Sequence, residues 1–114
     1  MISFFFILAP PQITEKPQNI TAIEGNRVTF SCNASGDPEP TVSWTKDGSS
    51  FSPVNDARIS FGADSKSLTI TNISRGDSGQ YRCVASNSLG NVTSDAATLD
   101  VQCKEIFSLA SLFE

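Results

Sequence analysis

Polar and apolar residues alternate along five short stretches of this chain: residues 27–32, 41–45, 67–71, 80–85 and 98–102. Alternation with a period of two marks a strand with one buried face and one wet face. No window sustains a helical period. Turn residues separate the stretches. Glu24-Gly25-Asn26 leads into the first, Asp47-Gly48 follows the second, and Asn87-Ser88-Leu89-Gly90 divides the last two. Asp47-Gly48 is a strong hairpin signal, because glycine accepts the positive φ that tight hairpin turns need. Gly36-Asp37-Pro38-Glu39-Pro40 is excluded from a sheet interior, since each proline removes a ladder donor. Short one-side-wet strands spaced by turns predict an all-β antiparallel sandwich or barrel.

The same alternation sorts side chains into inward and outward sets. Phe30 and Cys32 share the inward parity of one strand, and Tyr81 and Cys83 that of another. Trp44 and Leu68 point inward from two more. Trp44 follows Cys32 by twelve positions, and Tyr81 precedes Cys83 by two. A chain of 114 residues holds one such domain and not two. Its 39% hydrophobic and 18% charged residues support a packed core and argue against disorder.

Charge and residue inventory narrow the chemistry. The net charge is −4, with eight scattered Lys and Arg, so there is no basic footprint for a nucleic acid. The chain has no histidine, which excludes serine–histidine triads, cysteine–histidine pairs and histidine-bearing zinc sites. The three cysteines, Cys32, Cys83 and Cys103, form no C-x-x-C pair. Asp37 and Glu39 are near each other, but they lie in a loop beside two prolines and read as solvated carboxylates. Neither an enzyme nor a cofactor is expected.

Three motifs in order carry a resemblance. Asp77-Ser78-Gly79-Gln80-Tyr81-Arg82-Cys83 fits D-x-G-x-Y-x-C, Trp44-Thr45-Lys46-Asp47-Gly48 fits W-x-K-D-G, and Ala85-Ser86-Asn87-Ser88-Leu89-Gly90 fits A-x-N-x-x-G. From about Pro11 to Gln102 the chain resembles the I-set branch of the immunoglobulin superfamily. The resemblance implies an immunoglobulin-like two-sheet sandwich with Greek-key topology, strands A, B, E and D in one sheet and C, F and G in the other. It implies a disulfide between Cys32 and Cys83 with Trp44 packed on it, and Tyr81 as a tyrosine corner. Closing that loop stabilises a fold by about 4 kcal/mol in the chain-entropy model. The resemblance also implies an ion pair between Arg58 and Asp77.

Four asparagines stand in N-x-S/T sequons: Asn19, Asn33, Asn72 and Asn91. Seven asparagines among 26 Ser and Thr residues would give about 1.6 by chance. Used sequons place a domain in the secretory pathway. Asn33 and Asn72 are expected on the A–B–E–D sheet, with Asn19 in its edge region and Asn91 near the start of strand G. Arg75-Gly76-Asp77 spells the tripeptide that integrins read, but Asp77 belongs to the family motif and is expected to be held by Arg58.

The ends differ from the middle. Residues 1–10 read as an apolar leader or a gene-model edge outside the fold, 11–102 as the domain, and 103–114 as a C-terminal extension that includes Cys103. Both apolar runs are shorter than the roughly 20 residues of a membrane helix, so membrane attachment is not expected from this segment.

The expected function is an extracellular module for protein–protein recognition or spacing in an adhesion molecule, receptor or matrix protein. The expected partner is a protein, with another immunoglobulin-like domain the leading kind. The alternatives are an intracellular muscle-type scaffold domain and a secreted single-domain binding protein. Glycans on the A–B–E–D sheet would leave the C–F–G sheet as the contact face, with Ser43, Thr45, Arg82, Val84 and Thr98 outward and Phe51 at its rim.

Overall fold

Apolar residues at every second position build two layers that close on each other. The computed structural model describes residues 8–52 and 56–103. In the first layer, β3 (Val28–Ser31), β8 (Ser67–Ile70) and β7 (Ile59–Phe61) pair antiparallel in the order β3–β8–β7. The chain continues through Cys32 into β4 (Asn33–Asp37), which pairs with β1 (Ala9–Glu15). The second layer has the order β2–β11–β9–β5–β6: β2 (Ile20–Ile23), β11 (Ala97–Gln102), β9 (Gly79–Asn87), β5 (Thr41–Lys46) and β6 (Ser49–Phe51). A further strand, β10 (Gly90–Thr93), pairs with the far end of β9. Two short 3-10 turns, Ala63–Ser65 and Arg75–Asp77, are the helical elements among the described residues.

The inward residues form one core. Val28, Phe30, Cys32, Leu68 and Ile70 from the first layer meet Val42, Trp44, Tyr81, Cys83, Leu99 and Val101 from the second, and Ile73 joins the same cluster. Phe30 stacks on Tyr81 at 4.9 Å between ring centroids. The Trp44 indole N–H donates to the Ser65 carbonyl at 2.7 Å, so the largest core side chain is buried with its polar atom satisfied. Cys32 and Cys83 are bonded, linking the two layers. Asp47 and Gly48 have φ values of 51° and 86°, the left-handed pair that turns β5 tightly into β6.

Two expectations change at the N-terminal side. First, β1 begins at Ala9, two residues inside the segment read as lying outside the fold, because Ala9 pairs with Asp37 and its carbonyl accepts the Asn87 side-chain amide at 2.9 Å. Residues 1–7 and 104–114 lie outside the described residues. Second, strand A does not stay in one sheet. Buried Pro17 offers no N–H, and the ladder of β1 ends at Glu15. The chain then crosses, and β2 runs parallel to β11 in the opposite layer, with Leu99 beside Ile20. Asn19 crosses with it. Its Oδ1 accepts the Thr98 backbone N–H at 2.9 Å, so it sits against the C–F–G sheet and not at the edge of the other one.

Candidate interaction face and its supporting corner

The outer face of the second layer is set by register. Ser43 lies opposite Val84, Thr45 opposite Arg82, and Thr98 opposite Gln80. On β6, Ser50 is the partner of Thr45, so Ser50, Thr45 and Arg82 make one row across three strands. Ser43 and Thr98 are exposed, while Thr45, Arg82 and Val84 are half-buried among their neighbours. Arg82 has no ion pair among the described residues. The surface is a small polar patch with one cationic side chain. It offers hydrogen bonds and one guanidinium to a partner, and no nucleophile or acid–base pair.

Phe51 does not join this face. It pairs with Trp44, takes the inward parity, and meets the Tyr81 ring edge-on at 5.6 Å. Its position just after the turn reads as rim in the sequence. The two-residue Asp47-Gly48 turn sets the register that points it inward.

A cluster at one end of the sandwich supports the face. Arg58 Nη1 donates to Asp77 Oδ2 at 2.8 Å and Nη2 to Asp77 Oδ1 at 3.2 Å, a two-pronged pair. The guanidinium also reaches Asp56 Oδ2 at 3.1 Å and the Asn72 carbonyl at 3.1 Å. Asp77 Oδ2 takes a further bond from the Ser74 backbone N–H at 2.8 Å, and the Tyr81 hydroxyl donates to the Asp77 carbonyl at 2.6 Å. Burial pushes the Asp77 carboxyl upward, but the Arg58 guanidinium and Ser74 amide outweigh it and hold the pKa below its ordinary value. Asp77, then Asp56, raise the pKa of Arg58. Burial raises that of the Tyr81 hydroxyl. Asp77 is therefore the least exposed member of Arg75-Gly76-Asp77, and its carboxylate is already occupied.

Two structural residues carry no signal in the alternating pattern. Ser94 is buried where β10 breaks from β11, and its Oγ accepts the Cys83 N–H at 3.0 Å. Asn87 donates its amide to the carbonyls of Ala9 and Pro38, both at 2.9 Å. Asn87 lies within the A-x-N-x-x-G motif, which marks the position but not its partners. Cys103 is half-buried past β11, with Sγ 3.8 Å from Glu24 Oε1. The four sequon asparagines are all exposed: Asn33 on β4, Asn72 after β8, Asn91 on β10 and Asn19 before β2.

A disulfide that joins the two layers, and a tyrosine hydroxyl that ties the start of β9 to the preceding turn, define the sandwich as immunoglobulin-like. The chain belongs to the immunoglobulin I-set domain family, whose model matches residues 11–101. Neural cell adhesion molecule 1 of Bos taurus is 43% identical over 83 residues, covering 71% of this chain and 10% of that protein. The N-terminal Ig1-2 module of the Drosophila receptor protein tyrosine phosphatase DLAR superposes with a TM-score of 0.75 at 35% identity, over 81% of this chain and 45% of that one. Titin domains z1z2, solved in complex with telethonin, match with a TM-score of 0.76 at 33% identity, over 87% of this chain and 51% of that one. The chain thus spans about a tenth of the adhesion molecule it resembles. It is a single immunoglobulin domain, non-catalytic in itself, of a kind found in adhesion molecules, receptor phosphatases and titin.

Proposed function

We propose that this chain is an extracellular recognition and spacing module of a larger cell-surface or matrix protein. The observation that carries the reading is the polarity of the sandwich. The described chain enters beside Asp37 and leaves beside Ile23, at opposite poles. Among the described residues, the exposed large hydrophobic side chains lie at those poles: Leu8 and the turn residue Leu89 at the entry, and Ile23 at the exit. Exposed apolar side chains at both poles and a polar outer sheet between them fit end-to-end stacking with neighbouring domains. The disulfide fits an oxidising compartment.

Recognition is assigned to the outer face of β5, β9 and β11, through Ser43, Thr45, Arg82, Val84 and Thr98. Strong interfaces centre on Trp, Tyr or Arg anchors, and this face presents only Arg82 of that set. Single contacts are therefore weak, and repetition along a chain of domains supplies the avidity. The test measures self-association of the chain, and binding to cells that display its parent protein, for Arg82→Glu and for Thr69→Glu on the opposite layer. Loss of binding with Arg82→Glu alone supports the assignment. Loss with Thr69→Glu alone would move recognition to the other sheet.

The likeness to titin favours a second reading, an intracellular scaffold domain. Thiol labelling under denaturation of protein taken from its native tissue separates the two. Recovery of Cys32 and Cys83 as free thiols fits the scaffold, and recovery as a linked peptide pair fits the extracellular module.

A further inference from the structure

Asn87 stands in no sequon, and both of its amide donor bonds are spent inside the fold at 2.9 Å. The four sequon asparagines contrast with it. Asn72 and Asn91 make no side-chain hydrogen bond among the described residues, and Asn33 Nδ2 reaches only Glu15 Oε2, at 3.4 Å. Asn19 uses its oxygen alone, as acceptor for the Thr98 N–H, and its Nδ2 makes no hydrogen bond among the described residues of this exposed position. The hydroxyl residues that complete the sequons, Thr21, Ser35, Ser74 and Thr93, are exposed as well. In the sequons on β4 and β10 the period of two puts asparagine and hydroxyl on the same outward face.

We propose that Asn19, Asn33, Asn72 and Asn91 are N-glycosylated, two on each layer of the sandwich, with the Asn19 and Asn91 glycans flanking the β10–β11 side of the recognition face. The inference rests on the extracellular reading above, because the reaction occurs on chains entering the secretory pathway. Asparagine Nδ2 attacks the anomeric carbon of an oligosaccharide carried on a lipid diphosphate. The new C–N bond forms as the C–O bond to the diphosphate breaks, and Nδ2 loses one proton. Oδ1 keeps its lone pairs, so a glycan on Asn19 preserves the bond to Thr98. None of the four reactions therefore costs the fold a short hydrogen bond.

The placement has a consequence for the face. Asn91 pairs with Ser86, and Ser86 with Thr41, so a glycan on Asn91 stands two strands, about 10 Å, from Thr41. Asn19 abuts Thr98 on β11. Bulky hydrated glycans at these points cover the β10–β11 side. They cover Thr98 and narrow the recognition face to the Ser50–Thr45–Arg82 row on the β5–β6 side, which stays open.

The full chain, expressed behind a secretion signal in cultured animal cells, tests the proposal. Glycan-releasing amidase converts each modified asparagine to aspartate, read by peptide mass spectrometry, and intact protein is read by gel mobility. Four conversions are expected. Thr21→Ala, Ser35→Ala, Asn72→Asp and Thr93→Ala should each remove one step of the mobility ladder. Thr21→Ala retains the Asn19–Thr98 bond, and Asn72→Asp retains the Ser74 hydroxyl beside Asp77. A secreted chain insensitive to the amidase overturns the proposal, and a site recovered as asparagine overturns it there. The readout does not involve a binding partner. A failed Arg82→Glu result with an intact ladder therefore refutes the recognition face alone, and a missing ladder with intact binding refutes the glycans alone.

Discussion

Arg58 holds both oxygens of Asp77, at 2.8 and 3.2 Å, across the end of the sandwich where the chain leaves. Asp77 is buried, and the Arg58 side chain is about one-third exposed at 32%. The pair thus has one dry partner and one that water can reach. The same carboxylate accepts the Ser74 N–H, and the same residue's carbonyl accepts the Tyr81 hydroxyl. One side chain and its backbone therefore fix β7, the 3-10 turn and the start of β9 together.

Replacing Asp77 with Ala removes two charge-assisted bonds to Arg58 and the bond to Ser74. Arg58 rehydrates in part, so the expected loss is about 2–3 kcal/mol, below the range for fully buried pairs. For a domain of this size that lowers the Tm by about 10–15 °C in calorimetry. Arg75→Ala, on the exposed arm of the same turn, should stay within about 0.5 kcal/mol of the parent. The folded chain should not support integrin-dependent cell attachment. Attachment that requires both Arg75 and Asp77 in a protein with an unchanged Tm would contradict this account.

The corner also has a pH signature. The folded-state pKa of Asp77 is depressed, so its contribution to stability is fully present above the ordinary carboxylate pKa. That contribution is lost as the pH falls through the folded value. Urea unfolding of the parent and of Asp77→Asn should differ most near neutral pH. The difference should shrink as the pH falls below the ordinary carboxylate range and through the depressed folded-state value of Asp77. A gap that is constant with pH would mean that the carboxylate charge contributes nothing.

Cys32 and Cys83 close a loop of sequence separation 51. In the chain-entropy model, removing that link in a Cys32→Ala, Cys83→Ala double variant costs about 4 kcal/mol, with a further loss from the cavity left beside Trp44. Chemical denaturation should find the variant unfolded or marginal. A midpoint within error of the parent's would show that packing alone holds the layers together.

The parts of this fold that were legible in the sequence are those with period two and a buried face. The strands around Phe30, Trp44, Leu68, Tyr81 and Leu99 announce themselves because water is excluded from alternate positions. The segment before them does not. β1 and β2 are edge strands that bury one residue, Pro11, between them, and their partners are set by Pro17 and by the parallel register with β11, which the pattern of apolar residues does not carry. The sequence pattern therefore places Asn19 with the wrong layer. Phe51 looked like a surface residue because its inward parity depends on the length of a turn. The proposed recognition face is legible as a set of outward positions, but the pattern of alternation carries no information about what a wet face meets.

Ser94 is the residue whose role the pattern concealed most completely. It is buried, polar and placed where β10 gives way to β11, and it substitutes a side-chain oxygen for a missing ladder partner. The Cys83 N–H donates to Ser94 Oγ at 3.0 Å, and the Ser94 hydroxyl donates onward to the Asp95 carbonyl at 3.0 Å. The backbone N–H of Ser94 meanwhile donates to the Cys83 carbonyl at 2.9 Å. Ser94→Ala should keep that last bond and strand the buried Cys83 N–H, at a cost of about 1–3 kcal/mol. The change removes little volume, so a packing defect contributes little to the loss. Hydrogen exchange should locate the effect at the Cys83 amide, with faster exchange than in the parent, while the amide of Tyr81 changes less. Thr93→Ser, one residue away and exposed, keeps its sequon and should leave the Tm unchanged. An unaltered Tm and unaltered Cys83 exchange in Ser94→Ala would show that a water or the relaxed backbone replaces the hydroxyl, and that the break between β10 and β11 is held by packing alone.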